Sequence, residues 1–267
     1  MAVPGFVKEQ IRSALGAYYA SLLAGGVRAE YEYIFILSHM RAGSSLLTEV
    51  LTSHTAICGY GETHIEYSKG ADLRRLTWKV LATKRRFPGL GGERYILDKL
   101  LHNSLLRGRG SEVWRTGRVR PVFLVRDPAS TIRSMYRSFG WKECAVRAYY
   151  PSRLNELSEI LIAICGSLRP IVITYEELTS RPQRTLQALQ WYLNVEEPFA
   201  ETYPVGRQTG VKGVGDTSEM IRSGRILKGE GRSDDVADVG ATTWADIEGA
   251  YDRFWKVSSR VNVQRAL

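Results

Sequence analysis

The segment ILSHMRAGSSLLTEVL, residues 36–51, brings together residue types that bind anions. An apolar run is followed by a short loop that carries Arg41 and Gly43, and Ser44 and Ser45 then open a stretch with helical spacing. Backbone N–H groups at a helix N-terminus point toward a ligand and carry partial positive charge, and an arginine adds a fork of donors. The segment therefore predicts a phosphate-binding loop between a strand and a helix. The plainer interpretation is a turn that only needs glycine.

The loop lacks the lysine that ATP- and GTP-hydrolysing proteins place in their phosphate-binding loops. Those loops read GxxxxGK[ST], in which the lysine contacts the terminal phosphates and the Ser or Thr binds Mg²⁺. Here Gly43 is followed by two serines. A kinase or NTPase with a degenerate P-loop stays as one alternative, with Asp127 as the metal-binding acid that it would need. A nonenzymatic protein that keeps a nucleotide-binding fold for interaction is the other.

A second segment, FLVRDPASTIRSMYR at residues 123–137, carries another pair of anion-binding residues. Arg126 stands at the end of a predicted strand, and Ser134 follows eight residues later on a predicted helix. Ligands of parallel sheets bind beyond the carboxyl ends of the strands, so this pair predicts a site for a second phosphate. The alternative is that Arg126 pairs with Asp127 or another carboxylate. A surface ion pair stabilises little, however, and does not explain an arginine at the end of an apolar strand.

Apolar runs alternate with helical patterns along most of the chain. The runs predicted as strands are 33–38, 55–58, 94–100, 120–127 and 170–178. The segments predicted as helices are 44–53, 73–86, a helix from Pro128, 141–167 with Pro151 restarting or kinking it, 181–194 and 243–257. Continuous apolar strands separated by helices indicate a parallel sheet that is covered on both faces. The predicted fold class is therefore α/β, a three-layer sandwich with a central, mainly parallel sheet.

The whole chain, residues 1–267, is predicted to form one domain, since no repeat or linker divides it. Apolar residues at helical spacing predict an N-terminal helix within residues 1–30. Residues 205–240 are rich in Gly, Asp, Ser and charge, which predicts a long loop or a flexible flap. We expect the first and second strands to be neighbours, so that the loops after both would face one cleft.

Composition narrows the classes of partner. A chain of 267 residues, 44% of them hydrophobic, can bury a sizeable core, and its formal net charge of +9 suits a polyanionic ligand, nucleic acid or an anionic membrane surface. The basic residues are spread along the chain, which disfavours nucleic acid, and no segment has the ~20 uninterrupted apolar residues of a membrane span.

Three cysteines in no framework and an N-terminus unlike a signal peptide predict a cytoplasmic protein with reduced thiols. His39 and His54 form no metal-ligand pattern, so we expect no metal.

Four motifs, in this order along the chain, resemble the sulfotransferases that use 3′-phosphoadenosine 5′-phosphosulfate (PAPS). RAGSS after a strand resembles the 5′-phosphosulfate loop of that family, and RDPASTIRS resembles its 3′-phosphate motif. VITYEELTSRPQRTLQALQWYLNV, residues 172–195, resembles a family strand and helix, and GVKGVGD, residues 210–216, resembles its late Lys-Gly loop. The resemblance implies a P-loop NTPase-like fold, with PAPS as co-substrate and adenosine 3′,5′-bisphosphate as product.

The resemblance also assigns residues to the parts of the donor. Those assigned to the 5′-phosphosulfate are Arg41, Ala42, Gly43, Ser44 and Ser45. Those assigned to the 3′-phosphate are Arg126, Ser134, Lys212 and Gly213, and Tyr175 is assigned to the adenine. The late loop departs from the family pattern Arg-Lys-Gly-x-x-Gly, because it is one residue shorter and Val211 replaces its arginine.

Sulfuryl transfer needs positive charge near the leaving phosphate and a base near the acceptor. Cations and N–H donors neutralise charge on the bridging oxygen, which suits Arg41 and needs no Mg²⁺ bridge. Some bacterial and carbohydrate members place a catalytic Glu after the second strand, where YGETHIEY offers Glu62 as our first candidate for the base and His64 as another. The aryl and steroid branch uses a His after the Lys of the third strand, where LDKLLHN offers Lys99 and His102. Lys99 would reach the transferring sulfuryl group or the acceptor.

The identity of the acceptor stays open in the sequence. The resemblance implies a small molecule, and by analogy with the fold segments 63–95 and 138–168 would form its pocket. These segments mix Tyr, Trp, Arg and Lys, which suits a sugar, a lipid headgroup or a phenolic metabolite equally. The absence of a targeting pattern favours a bacterial cytoplasmic enzyme.

Overall fold

A computed structural model describes residues 30–102, 112–206, 219–228 and 239–265. Within these residues, six strands form one sheet in the order β2-β3-β1-β4-β5-β6, and every neighbouring pair is parallel. The strands are β1 (Glu32–Ser38), β2 (Ile57–Cys58), β3 (Tyr95–Leu100), β4 (Val119–Val125), β5 (Ile171–Thr174) and β6 (Gln264–Arg265). The α-helices are α1 (Ser44–Thr52), α2 (Ala71–Lys84), α3 (Glu112–Arg115), α4 (Pro128–Phe139), α5 (Glu143–Ile164), α6 (Tyr175–Ser180), α7 (Pro182–Leu193) and α8 (Ala241–Arg260).

Helices cover both faces of the sheet, as the strand pattern predicted. Side chains of β1 alternate between two apolar cores because successive residues of a strand point to opposite faces. Tyr33, Phe35 and Leu37 join the core formed with α2, α3, α4, α5 and α8. Ile34 and Ile36 join the core formed with α1, α6 and α7. The three-layer α/β sandwich is therefore confirmed for the described residues.

The predicted neighbourhood of the first two strands is wrong, because β3 lies between β1 and β2. β1 pairs with β3 on one side and with β4 on the other, and β2 pairs only through Ile57 and Cys58. The longer apolar strands β1, β3 and β4 take the centre, where both faces are buried, and the two-residue β2 is left at the edge. The loop after β2 consequently meets the end of β3 rather than that of β1.

The strand predicted at 170–178 is too long, because β5 ends at Thr174 and α6 begins at Tyr175. Thr174 Oγ1 accepts a hydrogen bond from Glu177 N at 3.0 Å, and the Glu177 carboxylate accepts from Thr174 N at 2.8 Å. This reciprocal capping box satisfies two N–H groups at the helix start. The T-x-x-E spacing that produces it is visible in the sequence and explains the boundary.

Helix α5 runs through Pro151 without a second start, so the predicted restart is wrong, and the alternative of a kink stays a prediction. Contacts with α8 hold the helix on both sides of the proline. Arg147 Nε lies 3.1 Å from Asp246 Oδ2, and Arg253 Nε donates to Asn155 Oδ1 at 3.2 Å. The apolar side chains on both sides of the proline, Val146, Tyr150, Leu154 and Leu157, are also fully buried in the core, and this burial stabilises the helix despite the hydrogen bond that proline cannot donate.

Two predicted segments lie partly or wholly outside the described residues. The helix within residues 1–30 is outside them, and so is most of the predicted flap at 205–240. Inside the flap, Glu219–Ser223 forms a 3₁₀ helix, and Arg225 forms an isolated antiparallel bridge with Thr202. No helix among the described residues combines the length and apolar character that a bilayer crossing needs.

Candidate active site

The loop from β1 to α1 has a backbone that only particular residues can adopt. Arg41 and Gly43 have φ values of 64° and 86°, both in the left-handed region. At Gly43 a Cβ atom would also lie 2.3 Å from Cδ2 of the Tyr175 ring. Glycine is therefore required at this position both by the backbone angle and by the aromatic ring packed against it.

The N-terminus of α1 follows this loop directly, and the first N–H groups of a helix have no acceptor within the helix itself. Gly43 is the residue that precedes the helix, and as a glycine it has no side chain that could cap the first turn. The first intrahelical bond runs from Leu47 N to Gly43 O at 3.1 Å. The N–H groups before Leu47 have no intrahelical acceptor, so this turn fits the predicted phosphate-binding loop.

Arg126 leaves the end of β4 and lies against the same loop. Its Nη1 donates to Arg41 O at 3.2 Å, and its guanidinium carbon lies 4.2 Å from the centroid of the Tyr175 ring. Its Nε is buried and has no acceptor among the described residues. The alternative pairing with Asp127 is not seen, because the Asp127 carboxylate accepts from Ala129 N and Ser130 N at the start of α4. A buried guanidinium N–H group without an acceptor among the described residues suits an anionic ligand.

The two predicted donor-binding segments meet directly. Arg41 Nε donates to Ser134 Oγ at 2.8 Å, although the two residues are 93 positions apart. The resemblance assigns these residues to different phosphates of the donor, and in the structure they share one hydrogen bond. Ala42 is fully buried under the loop, and Ser44 is buried at the start of α1.

Glu62, Lys99 and Ser45 form a continuous polar chain. It runs from the loop after β2 to residues 39–45, the β1–α1 loop with the start of α1, which we call the anion loop. The Lys99 ammonium lies 3.2 Å from Glu62 Oε1, and Lys99 Nζ donates to Ser45 Oγ at 3.2 Å. Only 1% of Lys99 is exposed. The order of the strands explains the contact, because Lys99 belongs to β3, which lies between the two loops. Glu62 thus lies beside the anion loop although β1 and β2 are not neighbours.

His102 stands at the outer end of the same cluster, and His64 lies near enough for its charge to act on His102. His102 Nε2 lies 3.7 Å from Glu62 Oε2. Burial lowers the pKa of His102, while the charge of Glu62 opposes the shift. His64 is exposed, with a left-handed φ of 54°. Of the three predicted bases, Glu62 and His102 therefore lie together.

Asp98, which the sequence did not single out, anchors the loop that carries Glu62. Its carboxylate accepts from Thr63 N at 2.9 Å, from Thr63 Oγ1 at 2.6 Å and from Tyr67 OH at 2.6 Å. Burial raises the pKa of Asp98 to about 6, and these donors oppose the shift. An aspartate beside a lysine within the apolar run YILDKL was the available signal.

His39, which the sequence analysis considered only as a possible metal ligand, links the end of β4 to the loop that follows β1. Arg126 N donates to its Nε2 at 3.1 Å, so Nδ1 carries the proton that is donated to Met40 O at 2.9 Å. Burial lowers the pKa of His39 to about 4, so the ring is neutral near pH 7. Within the described part of the chain, no group of His, Cys, Asp and Glu could hold a metal ion. Lys212 and Gly213 lie outside that part.

Comparison with known proteins shows the fold. The sulfotransferase domain from the curacin biosynthetic pathway is similar to this chain, with a TM-score of 0.52 and 17% identity over 83% of this chain and 98% of that one. A sulfotransferase from Alicyclobacillus acidocaldarius has a TM-score of 0.45 and 15% identity, over 84% of this chain and 94% of that one. No family model and no curated protein matches the chain. The first likeness confirms the predicted fold, and the reaction stays a prediction.

Proposed function

We propose that the chain is a sulfotransferase that moves a sulfuryl group from PAPS to a hydroxyl or amine of a small-molecule acceptor. The observation that carries the proposal is the polar chain of Glu62, Lys99 and Ser45. It connects a candidate base to an anion loop through one buried cation. The motif order and the shared fold support the same reaction class.

The anion loop and the end of β4 carry hydrogen-bond donors that would suit a nucleotide with two separate anionic groups. The N–H groups of α1 and the side chains of Arg41, Ser44 and Ser45 would hold the 5′-phosphosulfate. Arg126 and Ser134 would hold the 3′-phosphate, since Arg126 Nε is a buried donor without an acceptor among the described residues. The Tyr175 ring, stacked on Arg126, would lie near the adenine.

Lys99 is suited to act on both partners of the transfer. Its ammonium is buried beside Ser45, where positive charge stabilises a bridging oxygen as that oxygen becomes negative. The same ammonium pairs with Glu62. A move of Lys99 toward an anion would weaken that pair, so the Glu62 carboxylate would be free to take the acceptor's proton. Because burial lowers its pKa, a neutral His102 is the second group able to accept a proton.

Calorimetry with two nucleotides tests the proposed function. Adenosine 3′,5′-bisphosphate should bind in the presence of EDTA, whereas ATP should bind much more weakly with or without Mg²⁺. Incubation with PAPS carrying a labelled sulfuryl group should then label a component of a metabolite extract. Binding of ATP with Mg²⁺ in preference to the bisphosphate would instead support a degenerate P-loop kinase or NTPase. Binding of the bisphosphate without transfer to any extract would leave a nonenzymatic nucleotide-binding protein.

A further inference from the structure

The strands that carry the two halves of the candidate site separate at one point. The pairing of β1 with β3 ends where Leu37 faces Leu100. Beyond it, one chain turns into the anion loop and the other continues to His102. Carbonyl and N–H groups at such a split lose their partners in the sheet and need others.

Arg153 of α5 donates hydrogen bonds to carbonyl groups on both sides of this split. It is fully buried, and its Nε donates to Ser38 O at 3.0 Å while its Nη2 donates to Leu100 O at 2.8 Å. One guanidinium thus bridges the last residue of β1 and the last residue of β3. Burial lowers the pKa of Arg153 to about 10, so the group remains charged at neutral pH.

Tyr149, one turn earlier on the same helix, bonds to the main chain one step further along both sides of the split. Its hydroxyl accepts from Met40 N at 2.8 Å and donates to Leu101 O at 3.1 Å. Residues four apart on a helix lie on one face, so Tyr149 and Arg153 form two consecutive bridges between the diverging chains. The adjacent Tyr150 has a different target, because its hydroxyl donates to Arg126 O at 3.3 Å, at the end of β4.

We infer that Tyr149 and Arg153 are positioning residues that set the distance between the anion loop and the strand end bearing Lys99 and His102. The inference rests on the proposed function, in which that distance separates the transferred group from the base. Both side chains act through main-chain atoms on the two sides of the split. Both residues fall within segment 138–168, which was expected to form the acceptor pocket, but we assign them to positioning because these hydrogen bonds are made with main-chain atoms. A displacement of ~1 Å between reacting groups lowers a rate by ~10²-fold, so such bridges control the rate.

Three variants separate positioning from general stability. Tyr149→Phe keeps the ring and removes both bonds of one bridge, and Arg153→Lys keeps the charge and loses the fork that spans two carbonyls. Tyr192→Phe is the matched control, because the Tyr192 hydroxyl donates to Pro121 O at 2.9 Å on the first half of β4, far from the site. Each variant is compared with the wild-type chain in bisphosphate binding, in labelled transfer from PAPS to a metabolite extract, and in hydrogen exchange at residues 39–45.

The inference predicts a split between binding and turnover. In Tyr149→Phe and Arg153→Lys, transfer at saturating PAPS should fall ~10–100-fold while the dissociation constant of the bisphosphate stays near the wild-type value. Exchange at Met40 should accelerate in Tyr149→Phe and not in Tyr192→Phe.

Two results would overturn the inference alone. Unchanged transfer in both variants would show that the bridges do not set the distance, and an equal loss of affinity and transfer would show that they only shape the anion loop. A wild-type chain that neither binds the bisphosphate nor transfers sulfate would overturn the proposed function, and the inference with it.

Discussion

At the residue scale, Glu62 and Lys99 form a pair in which only one partner is sealed from water. The side chain of Lys99 is 2% exposed and that of Glu62 is 13% exposed. A buried ammonium needs partners, and Lys99 has Glu62 and Ser45. Glu62 therefore keeps an open side, which in the proposed function an acceptor hydroxyl would approach.

Replacing Glu62 by glutamine should separate binding from catalysis. Glu62→Gln keeps the shape of the side chain and removes its basicity, so bisphosphate affinity should persist while turnover falls by ~10²–10⁴-fold. Glu66→Gln, on the same loop but with an exposed side chain, is the control and should keep turnover. If Glu62→Gln retains nearly full turnover and His102→Ala abolishes it, the base lies after β3.

Replacing Arg126 by alanine should weaken the donor site without unfolding the chain. The loss of charged hydrogen bonds worth ~1.5–3 kcal/mol should raise the dissociation constant of the bisphosphate about 10- to 100-fold. Arg120→Ala is the control, because Arg120 belongs to the same strand but pairs with Glu32 near its start. Unchanged calorimetric affinity together with a normal thermal melt would remove Arg126 from the donor site.

The candidate residues that the sequence singled out are those that fall within short local motifs. Arg41 and Gly43 fall within one short motif, and their positive φ values follow from the same tight loop. The contacts of Asp98, His39 and Arg153 were not predicted, because each of these residues bonds to groups far away along the chain. An isolated Asp, His or Arg in an apolar segment does not reveal which carbonyl or N–H it will meet.

At the element scale, the apolar runs located five strands, and tertiary contacts decided the boundaries. The fourth strand was found because seven consecutive residues, Val119–Val125, lie in the covered centre of the sheet. The two-residue strand β6 carries no apolar run and was missed. The sequence also could not predict the strand order. β2 pairs with β3 through only two residues, and their apolar pattern does not indicate which strand they pair with.

The junction at Thr174 gives a prediction at this scale. Thr174→Ala removes the capping box of α6 and should lower the free energy of unfolding by ~0.5–2 kcal/mol, measured by urea denaturation. Thr174→Ser keeps the hydroxyl and should restore most of that loss. Equal stability of the alanine and serine variants would mean that packing, not the cap, holds the start of α6.

At the scale of the whole molecule, two buried groups give stability opposite dependences on pH. His39 has a pKa of about 4 when folded and near 6.5 when unfolded, so only the unfolded chain takes up its proton as pH falls between these values. Its contribution to stability is full above about pH 6.5 and is lost toward pH 4. Asp98 has a folded pKa of about 6 against 3.8, so its contribution is favourable at low pH and is lost as pH rises toward 6.

Variants resolve these opposing contributions. We expect the free energy of unfolding of the wild-type chain relative to His39→Gln to fall by about 1–2 kcal/mol between pH 6.5 and pH 5. Relative to Asp98→Asn, the wild-type value should instead rise as pH falls from 6 to 4. Urea denaturation at each pH measures both differences. A difference between wild type and His39→Gln that is independent of pH would contradict a neutral His39 in the folded chain.

The bridge made by Arg153 has a consequence for the order in which the site is completed during synthesis. The bond to Ser38 O joins residues 115 positions apart, and the bond to Leu100 O joins residues 53 positions apart. A nascent chain that ends before α5 contains the whole anion-loop motif and the Lys99–Ser45 pair, but it lacks Tyr149 and Arg153, which bridge the ends of β1 and β3 through main-chain atoms. The motif is short, yet the site it serves is completed only after α5 has left the ribosome and docked.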